Sequence, residues 1–140
     1  MRPKELVAAW VEAFNRADAE ALAGFYAEDA VNHQVAEAPV AGRAAIREMF
    51  AAGFASAKMV CGVENLVEDG EWAILEWRDP LGLRGCGFFH VVAGQIIFQR
   101  DQWFQHLLHN ETAFAIQKRL QWDGYTMVIL PARVGFTKFA

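Results

Sequence analysis

The chain has 140 residues, 54% apolar and 21% charged, a balance that excludes a disordered polymer and suits one domain with its own core. Thirteen basic against seventeen acidic residues leave a net charge of −4 with no basic stripe, which argues against a nucleic-acid partner. No apolar run reaches the ~18–20 residues of a membrane span, Glu5 and Glu12 interrupt any secretory h-region, and two cysteines, Cys61 and Cys86, make no disulfide scaffold, so a reduced, cytoplasmic setting without membrane contact is the expectation.

Residues 3–16 read as an amphipathic helix, with Leu6, Val7, Trp10, Val11 and Phe14 on one stripe and Pro3 in the first turn. Asp18 suits the cap of a shorter second helix carrying Leu22, Phe25 and Tyr26 on one face. The stretch AEDAVNHQV is extended and EAPVAG is a connector. Gly42 opens a third helix, in which Ala45, Ile46, Met49, Phe50, Gly53 and Phe54 recur at helical spacing. After Ser56 the period changes. Strands are predicted over 57–68 and 71–78, with Asp69-Gly70 as a hairpin signal, and over 84–92 and 95–103, joined at Ala93-Gly94. Phe104 to His109 starts a turn or helix. Asn110 can cap a helix from Glu111 to about Gln121 that Gly124 stops. The segment YTMVIL reads as a final strand closed by Pro131.

Helices first and a meander of strands afterwards define an α+β domain. Helices packed across the concave face of a strongly curved mixed or antiparallel sheet would enclose a cone-shaped cavity. Eleven Phe, five Trp and two Tyr supply ring surface for a core, a pocket or a subunit interface.

Four stretches then carry a likeness: Phe25-Tyr26-Ala27-Glu28-Asp29-Ala30, Gly42-Arg43-Ala44-Ala45-Ile46, Glu76-Trp77-Arg78-Asp79, and Gly94-Gln95-Ile96-Ile97 followed by Arg100-Asp101-Gln102-Trp103-Phe104. In order and spacing they resemble the nuclear-transport-factor-2-like superfamily, with its cystatin-like α+β barrel, in its SnoaL-like and limonene epoxide hydrolase-like branches. The resemblance spans residues 5 to about 109, so 1–140 is expected to be a single SnoaL-like domain with 121–140 as a C-terminal extension. It implies a deep pocket and often a homodimer built on the sheet's outer face. Epoxide hydrolases of this family use two aspartates bridged by an arginine, one activating water and the other protonating the epoxide oxygen, with a tyrosine and an asparagine holding the water. Carried over by position, the base falls on Asp101 and the acid on Asp79. The water-holding pair falls on Asn32 and Gln34. Two positions depart from the pattern: Trp77 stands at the arginine's place and Asn32 at the tyrosine's.

Strand alternation puts Asp101 on one face with Trp103, Gln99 and Ile97, and turns Arg100 and Phe98 away. It groups Asp79 with Trp77, Leu75 and Ala73, so neither neighbouring arginine replaces the missing bridge. Two carboxylates in one apolar pocket would raise at least one pKa through burial and repulsion, which separates a base from an acid near neutral pH. Strand-end aspartates with structural or solvated roles are the plain alternative. Asn32 and Gln34, two apart on one strand, could orient a water or a substrate carbonyl; His33 points oppositely. Trp77, Trp103, Val11, Phe14, Phe50, Phe54, Met59, Leu81 and Leu83 are the expected ligand-binding walls, and Gly85 and Gly87 would leave room beside them. His106 and His109 lack the further ligands of a metal site, so no metal is expected, and no cofactor motif is present.

The leading expectation is a cofactor-free enzyme that binds an apolar small molecule and uses Asp101 as general base, for water addition or for proton abstraction beside a carbonyl. The absent arginine favours the second, as in SnoaL-like cyclases and ketosteroid isomerases. A non-catalytic binder of hydrophobic ligands and a purely structural dimer unit are the rivals.

Overall fold

The computed structural model describes residues 1–35, 37–104, 119–122, 125–130 and 133–138, with side chains through Gln102. The chain separates into two compact units, Met1–Gln105 and His106–Ala140.

The first unit opens with helix α1, Pro3–Asn15, whose stripe buries Leu6, Val7, Trp10 and Val11. One end of α1 is pinned to strand β3, Gly62–Asp69, and the other to the residue just before it. The Arg2 guanidinium and the Lys4 backbone N–H bond the Glu68 carboxylate, and the Asn15 amide makes two bonds, of 2.7 and 3.0 Å, with the Cys61 backbone. The lengths match: thirteen helical residues rise about 20 Å, and the run from Cys61 to Glu68 extends about 23 Å. The expected strand over 57–68 therefore begins at Gly62, because the Cys61 backbone is bonded to Asn15.

Asp18 caps helix α2, Ala19–Ala23, by accepting the Ala21 N–H at 2.9 Å, as its residue type predicts. The expectation for Phe25 and Tyr26 fails here. α2 stops at Gly24, and Tyr26 is the first residue of strand β1, Tyr26–Gln34, level with Ile96. The expected connector after it contains the short strand β2, Val40–Ala41, paired with β1. Gly42 then takes a φ of +96°, a conformation that favours glycine, and helix α3, Arg43–Ser56, follows.

Strands β4, Trp72–Arg78, β5, Arg84–Val92, and β6, Gln95–Phe104, lie within a residue of their predicted bounds. Gly70 (φ +57°) turns β3 into β4, and Ala93 and Gly94 (φ +51° and +74°) turn β5 into β6, as tight hairpins with right-twisted strands require. The sheet order is β2-β1-β6-β5-β4-β3. It is antiparallel except that β1 runs parallel to β6, which makes it mixed. One face buries Ala73, Leu75, Phe89, Val91 and Ile96 together with the helix stripes. Trp10, Phe14, Phe50 and Phe54 form a ring cluster there, with centroids 5.2–6.3 Å apart.

The second unit holds strands β7, Arg119–Trp122, β8, Tyr125–Leu130, and β9, Arg133–Lys138, in one antiparallel sheet. Two expectations are corrected there. Residues 119–121, expected to end a helix, are strand, and β8 is not the final strand. The Asp123-Gly124 dipeptide between paired Trp122 and Tyr125 is the same hairpin signal as Asp69-Gly70, although its glycine also suits a helix stop. The rest of the expected helix and the turn at His106 and His109 lie outside the described residues. Among the described residues no helix is long and apolar enough to cross a membrane.

Candidate active site

Register places the candidate residues in rows across the core face of the sheet. Gln34, Asp101, Gly87 and Leu75 stand level on β1, β6, β5 and β4. Asn32, Gln99, Phe89 and Ala73 form the next row. Because parallel β1 has the same side-chain parity as its partner, Asn32 and Gln34 share a face with Gln99 and Asp101. Asn32 and Gln99 are fully buried and Asp101 is 6% exposed; among the described residues they are, with the ring-borne polar groups of Tyr26 and Trp10, the buried polar side chains of this face. His33 and Arg100 point the other way, joined at 3.3 Å. Between β5 and β6 the alternation shifts once. Ile96, not Ile97, is buried with this face, because a bulge opposite His90 and Val91 inserts one residue into β6.

The buried polar groups make one connected network. Trp10 Nε1 donates to Tyr26 Oη at 2.9 Å, and the Tyr26 hydroxyl donates to Gln99 Oε1. Gln99 Nε2 donates to Asp101 Oδ2 at 2.5 Å. Asn32 Nδ2 donates to Gln99 Oε1 at 3.1 Å. Gln34 Nε2 bonds Asn32 Oδ1 and Asp101 Oδ2, both at 2.8 Å. Two amides thus converge on one carboxylate oxygen of Asp101. The other, Oδ1, lies against Gly87, where a Cβ would collide with it. Gly85 does the same for the adjacent row, where a Cβ would collide with the indole of Trp77. Both glycines make the room their sequence position suggested.

Burial pushes the Asp101 carboxyl up to about 6, against the opposing pull of the hydrogen bonds from Gln34 and Gln99. Among the described residues no carboxylate repulsion contributes to this shift. Burial likewise pushes the Tyr26 hydroxyl up and the Cys61 thiol up to about 12, so both are neutral near pH 7.

Asp79 does not join the site. Its Oδ1 accepts the Leu81 and Leu83 backbone N–H groups at 2.9 and 2.8 Å, clasping the turn between β4 and β5. It lies four residues past Leu75, the β4 member of Asp101's row, or about 13 Å along the strand. Leu81, expected to wall a pocket, is 88% exposed at the tip of that turn, and Leu83 is half-buried behind it. Of the other wall residues, Val11 and Phe50 are buried, Phe14, Phe54, Trp77 and Met59 are partly buried, and Met59 packs against Gly53 of α3. Trp103 pairs with Gly85 through its backbone, and its side chain lies outside the described residues. Sequence reasoning does not single out Tyr26 or Trp10 as site residues. Tyr26 reads as helical, and the stripe position of Trp10 gives no hint that its N–H has a polar partner.

An α+β fold with a mixed six-stranded sheet, its helices against one face and a buried polar cluster on that face, defines a class of small α+β barrel proteins. The chain belongs to the SnoaL-like domain family, whose model matches residues 7–99. No curated protein matches it. Among solved structures, one similar chain is described as a putative polyketide cyclase from Sinorhizobium meliloti (24% identity, TM-score 0.63, 70% of this chain and 94% of that one). Another is an epoxide hydrolase/cyclase-like enzyme with a role in pyran ring formation in the polyether salinomycin (24% identity, TM-score 0.64, 74% and 91%). A third, from Catenulispora acidiphila, has a ketosteroid isomerase-like fold and was solved with trimethylamine (20% identity, TM-score 0.64, 77% and 89%). At these identities the likeness establishes the fold alone.

Proposed function

We propose that the protein is an enzyme acting on an apolar, uncharged small molecule, with Asp101 as its general base. The reaction class is proton abstraction beside a carbonyl, of the isomerase or cyclase kind. The observation that carries this reading is a buried carboxylate whose Oδ2 is held by two amides while Oδ1 fills the space left by the missing side chain of Gly87. Such a group is anchored and basic near neutral pH, the combination general-base catalysis needs. Asn32 and Gln34 brace the base, Gln34 by a direct bond to Asp101 and Asn32 through Gln99 and Gln34. Epoxide opening is disfavoured, because the acid it requires falls by position on Asp79, whose carboxylate is bonded within a turn. The names of the similar structures support cyclase or isomerase chemistry as a class.

The test is turnover of cyclic ketone and polyketide-like substrates by wild type and Asp101→Asn. A general base contributes ~10²–10⁴-fold, so the variant should lose at least a hundredfold in kcat while still binding ligand. Unchanged turnover in the variant rejects the base. A second reading, an apolar-ligand binder without chemistry, is favoured by the lack of a second carboxylate on Asp101 among the described residues. Tight ligand binding without turnover in the wild type would select it.

A further inference from the structure

We propose that Trp10 is a positioning residue. Its indole N–H fixes the direction of hydrogen bonding through Tyr26 and Gln99, so that Gln99 must present its N–H to Asp101 Oδ2 and Oδ1 is left to take the proton. This rests on Asp101 being the base.

The argument is one of donors and acceptors. An indole can only donate. Trp10 Nε1 meets Tyr26 Oη at 2.9 Å, so that oxygen is an acceptor there and its single proton must go elsewhere. It goes to Gln99 Oε1. A Gln99 turned end for end would set two donors against each other at Tyr26 and its carbonyl against the Asp101 carboxylate. The second arm agrees. Asn32 Nδ2 also donates to Gln99 Oε1, and Gln34 shares its N–H groups between Asn32 Oδ1 and Asp101 Oδ2. Every bond in the network is consistent with one polarity, set on α1 and read out two elements away on β6.

With Trp10 replaced by Phe, the Tyr26 hydroxyl keeps only the 3.5 Å bond from Asn32 and can accept from Gln99 instead. Gln99, turning together with Asn32 and Gln34, can then offer its carbonyl to a protonated Asp101, a state that the wild-type polarity forbids. The titration midpoint of Asp101 should rise. The titratable side chains that feel Asp101 are Tyr26, Cys61 and Cys86, each pushed upward and so neutral over this range. Tyr26 lies on β1, Cys86 on β5 and Cys61 just before β3, so Asp101 titrates alone among them.

The experiment follows the Asp101 carboxyl by carbon-13 NMR in the whole chain without substrate, which separates its outcome from any failure of turnover. Trp10→Phe should raise the midpoint by about half a unit to one unit, the size expected for losing one polar contact in a buried chain. Tyr26→Phe should do the same. In a Gln99→Met background only the longer path through Asn32 and Gln34 is left, beginning with a 3.5 Å bond from Asn32 to Tyr26, so Trp10→Phe should shift the midpoint less. A wild-type midpoint in folded Trp10→Phe overturns the proposal, as does an equal shift with Gln99 already replaced. Should Trp10→Phe not fold, Tyr26→Phe, which removes one oxygen and keeps the ring, gives the same two readings.

Discussion

The Oδ1 oxygen of Asp101 occupies the place where a side chain at position 87 would begin. The two residues face each other on neighbouring strands, and the absence of a Cβ on one sets the position of the carboxylate on the other. Gly87→Ala must therefore displace a bonded, buried group rather than fill a void. Overpacking of this kind costs ~1–3 kcal/mol. Chemical denaturation should show that loss, and the Asp101 bonds to Gln34 and Gln99 should loosen with it. A Gly87→Ala protein of wild-type stability would show that the carboxylate has room to move.

Asp101 also gives stability a distinctive dependence on pH. Its carboxyl is raised from 3.8 to about 6 in the folded chain. Between those values the native state keeps a proton that the unfolded chain has lost. Stability from this group is therefore greatest below about pH 4, falls as pH rises through 6, and is flat above; the span is up to about 3 kcal/mol. Other carboxylates, such as Glu68, which is lowered by Lys4 and Arg2, slope the opposite way but are common to both proteins. Asp101→Asn should thus be ~1–3 kcal/mol more stable than wild type at pH 7.5 and gain about a third of that at pH 4.5, as urea denaturation at the two values would reveal.

Gln34 donates to the same oxygen as Gln99 and stabilises the ionised form. Gln34→Leu removes one donor from Oδ2. The midpoint of Asp101 should rise by about half a unit to one unit, and any base-limited activity should move its acid limb to higher pH by the same amount. A pH–rate profile superimposable on wild type would remove Gln34 from the site.

Asp79 belongs to the turn. Asp79→Ala strips the acceptor from the Leu81 and Leu83 N–H groups and should cost ~1 kcal/mol of stability. Turnover at saturating substrate should stay within about twofold of wild type. A hundredfold loss of kcat in a stable Asp79→Ala protein would return the residue to catalysis.

Local chemistry is readable along the chain. Asp18 caps a helix, Gly42 opens one, and Ala93-Gly94 closes a hairpin, because each depends on the conformational or bonding preference of one or two residues. Period-2 alternation correctly groups Asp101 with Gln99, since side-chain parity along a strand needs no partner. Its failure at Ile97 comes from a bulge that depends on the neighbouring strand. Tyr26 is hard to place because its short helix and the following strand share one apolar run, and only pairing with β6 separates them. Leu81 misleads because apolar character says nothing about which side of a turn a residue reaches.

Residue order alone settled most element types of the first unit, though not Tyr26 or β2, together with the inward face of the last long strand and the identity of its acid. Which polar groups meet that acid was decided by folding. Trp10, Tyr26, Asn32, Gln34 and Gln99 come from one helix and two strands up to 89 positions apart (99 minus 10), and only strand register and helix docking bring them together. Hydrogen bonds reach about 3 Å, so a contact between distant residues is a property of three-dimensional placement that no local pattern encodes.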